Sequence, residues 1–273
     1  MIFPLKDVEI KFVQEVPFLA APLYSCDSMQ VSPDQCRMEI PGIGVFYIVD
    51  GREIWCASEA GVDHRHLEAH MGGFPVAAVL HQRGMLHFHA SSFVWRDKGI
   101  LLFGQSGAGK SSLAAAFHMA GAIILSDDLS PIEFSDGAPY IIPIGYPVRL
   151  RPEILCQFNL KENQLKVANA FTGKVILNTG NIPEQNHRLD IMVYLEKHNG
   201  SEFQIETPPP DEQFALLRSE ICHWEILKGM PDTERKYLAQ ILEMLKAIPV
   251  LRIRRPENCP VAKLHRIMDE HLR

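Results

Sequence analysis

The octapeptide Gly104-Gln105-Ser106-Gly107-Ala108-Gly109-Lys110-Ser111 constrains the fold of this chain more than any other stretch. It matches G-x-x-x-x-G-K-[ST] and lies between the apolar run Gly99-Ile100-Leu101-Leu102-Phe103 and a helical segment, Ser111 to Ala120, stopped by Gly121. Glycines let such a loop curl until successive N–H groups face phosphate oxygens, and the helix N-terminus adds its partial positive charge. In a nucleotide site Gly104 to Ser112 would line the phosphates, Lys110 would reach the β- and γ-phosphates, and the Ser111 hydroxyl would ligate Mg²⁺. The plainer alternative is a Gly/Ser-rich turn that caps a helix and holds no ligand.

A phosphate loop alone does not name a reaction. The next apolar run, Ile123-Ile124-Leu125, ends in Ser126-Asp127-Asp128. In a βαβ unit this strand can run next to the first and bring its carboxylates close to a γ-phosphate. One acid would then hold Mg²⁺ and the other accept a proton from an attacking hydroxyl; a solvated Asp-Asp turn is the alternative. His89, in Leu86-His87-Phe88-His89-Ala90-Ser91-Ser92, precedes the strand pair Phe93-Val94-Trp95 and Gly99–Phe103. Taken alone, it reads as an ordinary packed or surface histidine.

Taken together, His89, the octapeptide and Asp127-Asp128 resemble, in order and spacing, the catalytic domain of bacterial HPr kinase/phosphorylase. The resemblance implies an α/β fold with a P-loop core of the HPr kinase and phosphoenolpyruvate carboxykinase type. It also implies an ATP- and Mg²⁺-dependent serine kinase, with Asp127 as the base on the acceptor hydroxyl, His89 beside it, and Ser111 and Asp128 at the metal. Where the family carries Leu-Glu-x-Arg, this chain reads Val148-Arg149-Leu150-Arg151, so an arginine stands in place of a metal-binding glutamate. Arg149 and Arg151 remain as phosphate or substrate contacts, because guanidinium groups stabilise transferring phosphate.

Val49-Asp50-Gly51, Leu80-His81-Gln82-Arg83-Gly84 and Leu86 to Ser91 resemble the homologues that tailor lasso-peptide precursors. That likeness implies a precursor peptide as partner, its C-terminal serine as acceptor, and a homo-oligomeric assembly. Two other readings stay open: a catalytically silent nucleotide-binding sensor or assembly module, and a small-molecule kinase acting on free serine or a similar hydroxyl compound.

The chain divides in the reading into an accessory β-rich part, residues 1–85, and a catalytic part, 86–273. In the first, Asp50-Gly51 between two β-prone runs signals a hairpin, and Pro75–Gln82 reads as a buried helix stopped by Gly84. In the second, strands are expected at Leu189–Leu195 and Pro249–Arg254, and helices at about 211–221, 231–247 and 262–272. Arg149, Arg151, Arg188, Arg252, Arg254 and Arg255 are candidates for a basic lip, with solvated surface ion pairs as the alternative. The stretch 173–180 is a candidate loop over the substrate.

Composition sets the limits. A net charge of -6 counts against generic nucleic acid as partner, since backbone phosphate is bound by clustered Lys and Arg excess. Six cysteines, Cys26, Cys36, Cys56, Cys156, Cys222 and Cys259, form no C-x-x-C pair. With no apolar run of membrane-spanning length and no signal-like start, the expectation is a cytoplasmic protein with reduced thiols and no membrane partner.

Overall fold

The computed structural model describes residues 3–158, 160, 165–166 and 173–272. They form a mixed α/β structure that divides into two units, Met1–His87 with Ile221–Gln240, and Phe88–Glu220 with Ile241–Arg273. Ile221–Gln240, read from sequence as part of the catalytic segment, therefore clusters with the N-terminal unit.

The first unit is built on strands β1 (Glu9–Phe12), β2 (Tyr24–Cys26), β3 (Met29–Val31), β4 (Gln35–Ile40), β5 (Gly44–Val49) and β6 (Glu53–Ser58). Their order is β1-β6-β5-β4-β3-β2, an antiparallel meander with β1 added parallel to β6. Asp50 and Gly51 both take positive φ, 54° and 61°, so the β5–β6 turn has the twist that favours hairpins. Helices α1 (His64–His70) and α2 (Phe74–Gln82) follow. Every residue of α2 from Phe74 to His81 is buried, which is why its sequence shows no polar face. Its end ties down the hairpin: the Gly51 N–H donates to Gln82 Oε1 at 2.6 Å, and Arg83 Nε donates to the Gly51 carbonyl at 2.7 Å.

After a short strand β7 (His87–Phe88), the second unit begins with β8 (Ala90–Trp95), β9 (Lys98–Phe103), α3 (Lys110–Met119) and β10 (Ile123–Ser126). Then come β11 (Ser130–Ser135), β12 (Ala138–Ile141), β13 (Arg149–Leu150), α4 (Pro152–Leu155), β14 (Leu165–Lys166), β15 (Val175–Leu177), β16 (His187–His198) and β17 (Gln204–Glu206). The chain continues through α5 (Pro210–Ser219), α6 (Pro231–Ala247), β18 (Val250–Pro256) and α7 (Val261–His271). The main sheet runs β10-β8-β9-β16-β12-β11, with β18 also paired to β16 and β17 to β18. A separate small sheet has the order β13-β15-β14.

One expectation needs correction. β10 does not lie beside β9: β8 is inserted between them, antiparallel to both. Two antiparallel steps restore the direction, so β10 points the same way as β9, and β9, β16 and β18 are mutually parallel. The C-terminal ends of β9 and β10 and the N-terminal end of β8 therefore share one edge. Behind that edge, Phe93, Ile100, Leu102, Phe117, Val193, Leu195, Leu264 and Met268 belong to one buried core under α3 and α7. The Gly121 φ of 107° and the Ala122 N–H bond to the Phe117 carbonyl at 2.9 Å close α3 in a Schellman-type turn.

Candidate phosphate-binding and acid–base site

The edge where β8, β9 and β10 meet brings together the three elements that sequence separates by 40 residues. His89 immediately precedes β8, the glycine loop leaves β9, and Asp127-Asp128 leaves β10. A cavity of about 770 Å³ opens there, lined by His89, Gln105, Ser106, Gly107, Gly109, Lys110, Ser111, Ser112, Asp128, Arg149 and Arg151 among others. Of the remaining residues singled out from sequence, Gly104, Ala108 and Asp127 are buried behind this lining.

The loop takes its shape from backbone that only glycine adopts freely. Gly104, Gly107 and Gly109 have φ of 141°, 80° and 108°. A Cβ on Gly104 would fall 2.1 Å from the Leu195 carbonyl oxygen, so the loop leaves β9 pressed against β16. Gly109 is the left-handed N-cap of α3, which aims the first helical N–H groups at the cavity. Lys110 Nζ donates to the Gly104 carbonyl at 2.6 Å, across the loop it belongs to.

The two aspartates occupy different environments. Asp127 is 2% exposed; its carboxylate accepts hydrogen bonds from the Ser91 and Ser111 hydroxyls and, at 3.5 Å, from the Arg149 N–H. Burial holds its carboxyl above the ordinary carboxylate range, with the hydroxyl bonds opposing and the Asp128 charge reinforcing that shift. Asp128, its side chain 49% exposed, meets His89 Nε2 at 3.3 Å and Arg149 Nη1 at 3.9 Å. The hydrogen bond to His89 holds it below the ordinary range, although its partial burial works the other way. The resemblance assigns the acceptor proton to Asp127 and the metal to Asp128; in the fold, Asp127 touches the metal-loop hydroxyl and Asp128 faces the cavity.

The donor set suits Mg²⁺. That ion keeps several waters and takes one or two carboxylates plus substrate phosphates. Ser111 and Asp127 place a hydroxyl and a carboxylate side by side at the start of α3. Among the described residues no group of three or more His, Cys, Asp or Glu forms a metal cage of its own.

The six arginines do not form one lip. Arg149, Arg151 and Arg255 line the cavity, whereas Arg188 faces Asp190 at 3.8 Å. Arg252 is buried against Glu206 at 2.9 Å and close to Glu212, and Arg254 pairs with Glu196 and Glu206 at 3.1 Å each. Arg255 braces the loop, its Nε donating to the Ala108 carbonyl at 2.8 Å.

Several residues of the site escaped the sequence reading. Lys197 pairs in register with Arg255 past the apolar run of β16, and both line the cavity; a charge just beyond a buried strand is the signal that marks it. Lys174, at the start of the stretch read as a candidate substrate loop, also lines the cavity. Glu220 gives no sequence signal. Its carbonyl accepts the His89 N–H at 2.7 Å, its carboxylate accepts the Gly104 N–H near Lys110, and burial raises its pKa.

No protein-family model matches the chain. No curated protein matches it either. Among solved structures it is similar to the Hpr(Ser) kinase/phosphatase from Coxiella burnetii, at 11% identity and a TM-score of 0.34, over 68% of this chain and 95% of that one.

Proposed function

We propose that this protein is an ATP- and Mg²⁺-dependent kinase that transfers the γ-phosphoryl group to a serine hydroxyl. The observation that carries the reading is the convergence of the glycine loop, the Asp127-Asp128 pair and His89 on one sheet edge around one cavity. Phosphoryl transfer asks mainly for positioning and charge neutralisation, which a backbone cradle, Lys110 and Arg255 supply.

The division of labour follows from exposure. Ser111 and Asp127 would hold Mg²⁺, directly or through water, and the ion would supply neutralisation of the charge that develops on the phosphates. Asp128 and His89 face the cavity and take the acceptor proton. The serine oxygen forms a bond to the γ-phosphorus as the bond from that phosphorus to the β,γ-bridging oxygen breaks. ADP leaves with that electron pair, and the serine proton ends on the Asp128–His89 pair. The choice of a precursor peptide as acceptor, of the kind lasso-peptide tailoring kinases use, rests on the sequence resemblance. So does a homo-oligomeric assembly.

The test is incubation with γ-labelled ATP, Mg²⁺ and a library of serine peptides, followed by mass spectrometry for phosphoserine. Asp128→Asn should cut transfer by about 100-fold or more with ATP still bound. Asp127→Asn should instead weaken the Mg²⁺ dependence of binding. A second reading, a silent nucleotide-binding module, draws on Arg149 standing where the resembling family has a glutamate. ATP bound by the wild type with no label in any peptide favours it.

A further inference from the structure

The small sheet β13-β15-β14 holds a second group of cations whose placement the phosphate loop does not explain. In the β13–β15 ladder Arg149 stands opposite Ile176 and Leu150 opposite Val175. Continuing that antiparallel register by one residue sets Arg151 opposite Lys174. Side chains alternate across a strand, so Arg149 and Arg151 share a face while Leu150, 1% exposed, points into the core. Arg149, Arg151 and Lys174 all line the cavity.

Like charges at facing ladder positions repel and cost stability. The carboxylate that the Arg149 guanidinium approaches is Asp128, at 3.9 Å. Among the described residues, Arg149 Nε moreover has no hydrogen-bond partner although it is buried. A buried guanidinium nitrogen without an acceptor is unfavourable unless a ligand supplies one. Among the described residues that line the cavity, six cationic side chains, Lys110, Arg149, Arg151, Lys174, Lys197 and Arg255, face two carboxylates, Asp128 and Glu257. Bound MgATP, with about two negative charges, offsets that surplus only in part.

The two groupings also belong to different elements. Lys110, Lys197 and Arg255 sit on the main sheet and its loop, at the phosphate cradle. Arg149 sits on the small sheet, on the side of Asp128, and Arg151 and Lys174 directly flank its strands β13 and β15. We propose that this face of the small sheet is a separate oxyanion subsite, which holds a carboxylate or phosphate of the acceptor so that its hydroxyl meets Asp128 and His89. The acceptor is thereby an anionic hydroxyl compound or a peptide with an acidic group next to its serine. The proposal rests on the kinase reading, because the subsite is defined by what ATP leaves uncovered.

Calorimetry with sulfate as the probe separates the two. The protein is first saturated with Mg²⁺ and the non-hydrolysable ATP analogue AMPPNP, which fills the γ-phosphate position, and sodium sulfate is then titrated at constant ionic strength. Sulfate should bind the nucleotide-loaded wild type, and Lys174→Gln should weaken it by roughly 5- to 10-fold, the scale of one charged contact. Lys174→Glu should weaken it further, and both should keep AMPPNP affinity within about 3-fold. Absence of sulfate binding to the loaded wild type overturns the subsite. So does a loss of AMPPNP affinity that tracks the loss of sulfate, since the cations would then serve the nucleotide. A wild type that does not take up AMPPNP in the first stage removes the kinase reading itself, and the subsite with it.

Discussion

Gly104 shows how much of the site depends on single positions. With φ at 141° and the Leu195 carbonyl 2.1 Å from where a Cβ would lie, Gly104→Ala must push the loop away from β16 or twist it. Overpacking against backbone of this kind costs about 2–3 kcal/mol, to be read as a lower urea midpoint, and nucleotide affinity should fall with it. The aspartates make the opposite point, because neighbours in sequence acquire unlike chemistry. Asp127, bonded to Ser91 and Ser111, is a buried anchor, and Asp128, bonded to His89, is the open carboxylate. Motif, order and spacing single out His89, Lys110, Ser111 and both aspartates, and the fold brings these to one place. Which aspartate faces the cavity is not legible in the sequence, because it depends on the strand that packs beside β10. Ser91, on that strand, is one of two adjacent serines, Ser91-Ser92, ahead of the apolar Phe93-Val94-Trp95, and is no signal by itself; nor is Glu220, more than 100 residues downstream of the loop it bonds.

At the scale of elements, local patterns transferred well where one short-range rule decides. Asp50-Gly51 turns between β5 and β6, the helix stopped by Gly121 is α3, Leu189–Leu195 lies within β16, and Pro249–Arg254 overlaps β18. Pairing partners are a long-range property and transferred less well, hence the insertion of β8 between β9 and β10. The insertion leaves direction intact and so still delivers both loops to one edge. α3 is the part that fixes the cradle to the core. Phe117 is fully buried, with ring centroids 4.9 Å from Phe93, 5.5 Å from Trp95 and 4.4 Å from His265. Phe117→Ala should cost about 3–5 kcal/mol, and its thermal midpoint should drop accordingly. A near-wild-type midpoint would show that α3 is held by something other than this cluster.

On the scale of the molecule, the unit formed by Met1–His87 and Ile221–Gln240 carries its own pH dependence. His81 and His87 are fully buried with ring centroids 4.3 Å apart, and His81 Nε2 lies 2.9 Å from the Cys222 carbonyl. Burial, aided by the neighbouring histidine charges, pushes His81 well below its ordinary pKa and His87 down to about 4. Above pH 6.5 both are neutral whether the unit is folded or not, and the term vanishes. As pH falls from about 6.5 towards 4 the unfolded chain takes up protons that the folded one refuses, so stability is lost, by about 3 kcal/mol for His87 alone. Acid unfolding followed by tryptophan fluorescence should show this loss, and His87→Gln should flatten it in that window. Among the described residues no helix is long and apolar enough to cross a membrane.

The claim on which the rest depends is that the edge shared by β8, β9 and β10 holds the phosphates of ATP with Mg²⁺. Titrating AMPPNP into the wild type and into Lys110→Ala, each with and without Mg²⁺, addresses it without knowledge of the acceptor. One nucleotide should bind per chain, more tightly with Mg²⁺, and Lys110→Ala should lose about 100-fold in affinity, close to 3 kcal/mol. A wild type that binds no nucleotide, or a Lys110→Ala variant that binds as well as the wild type, would contradict the account.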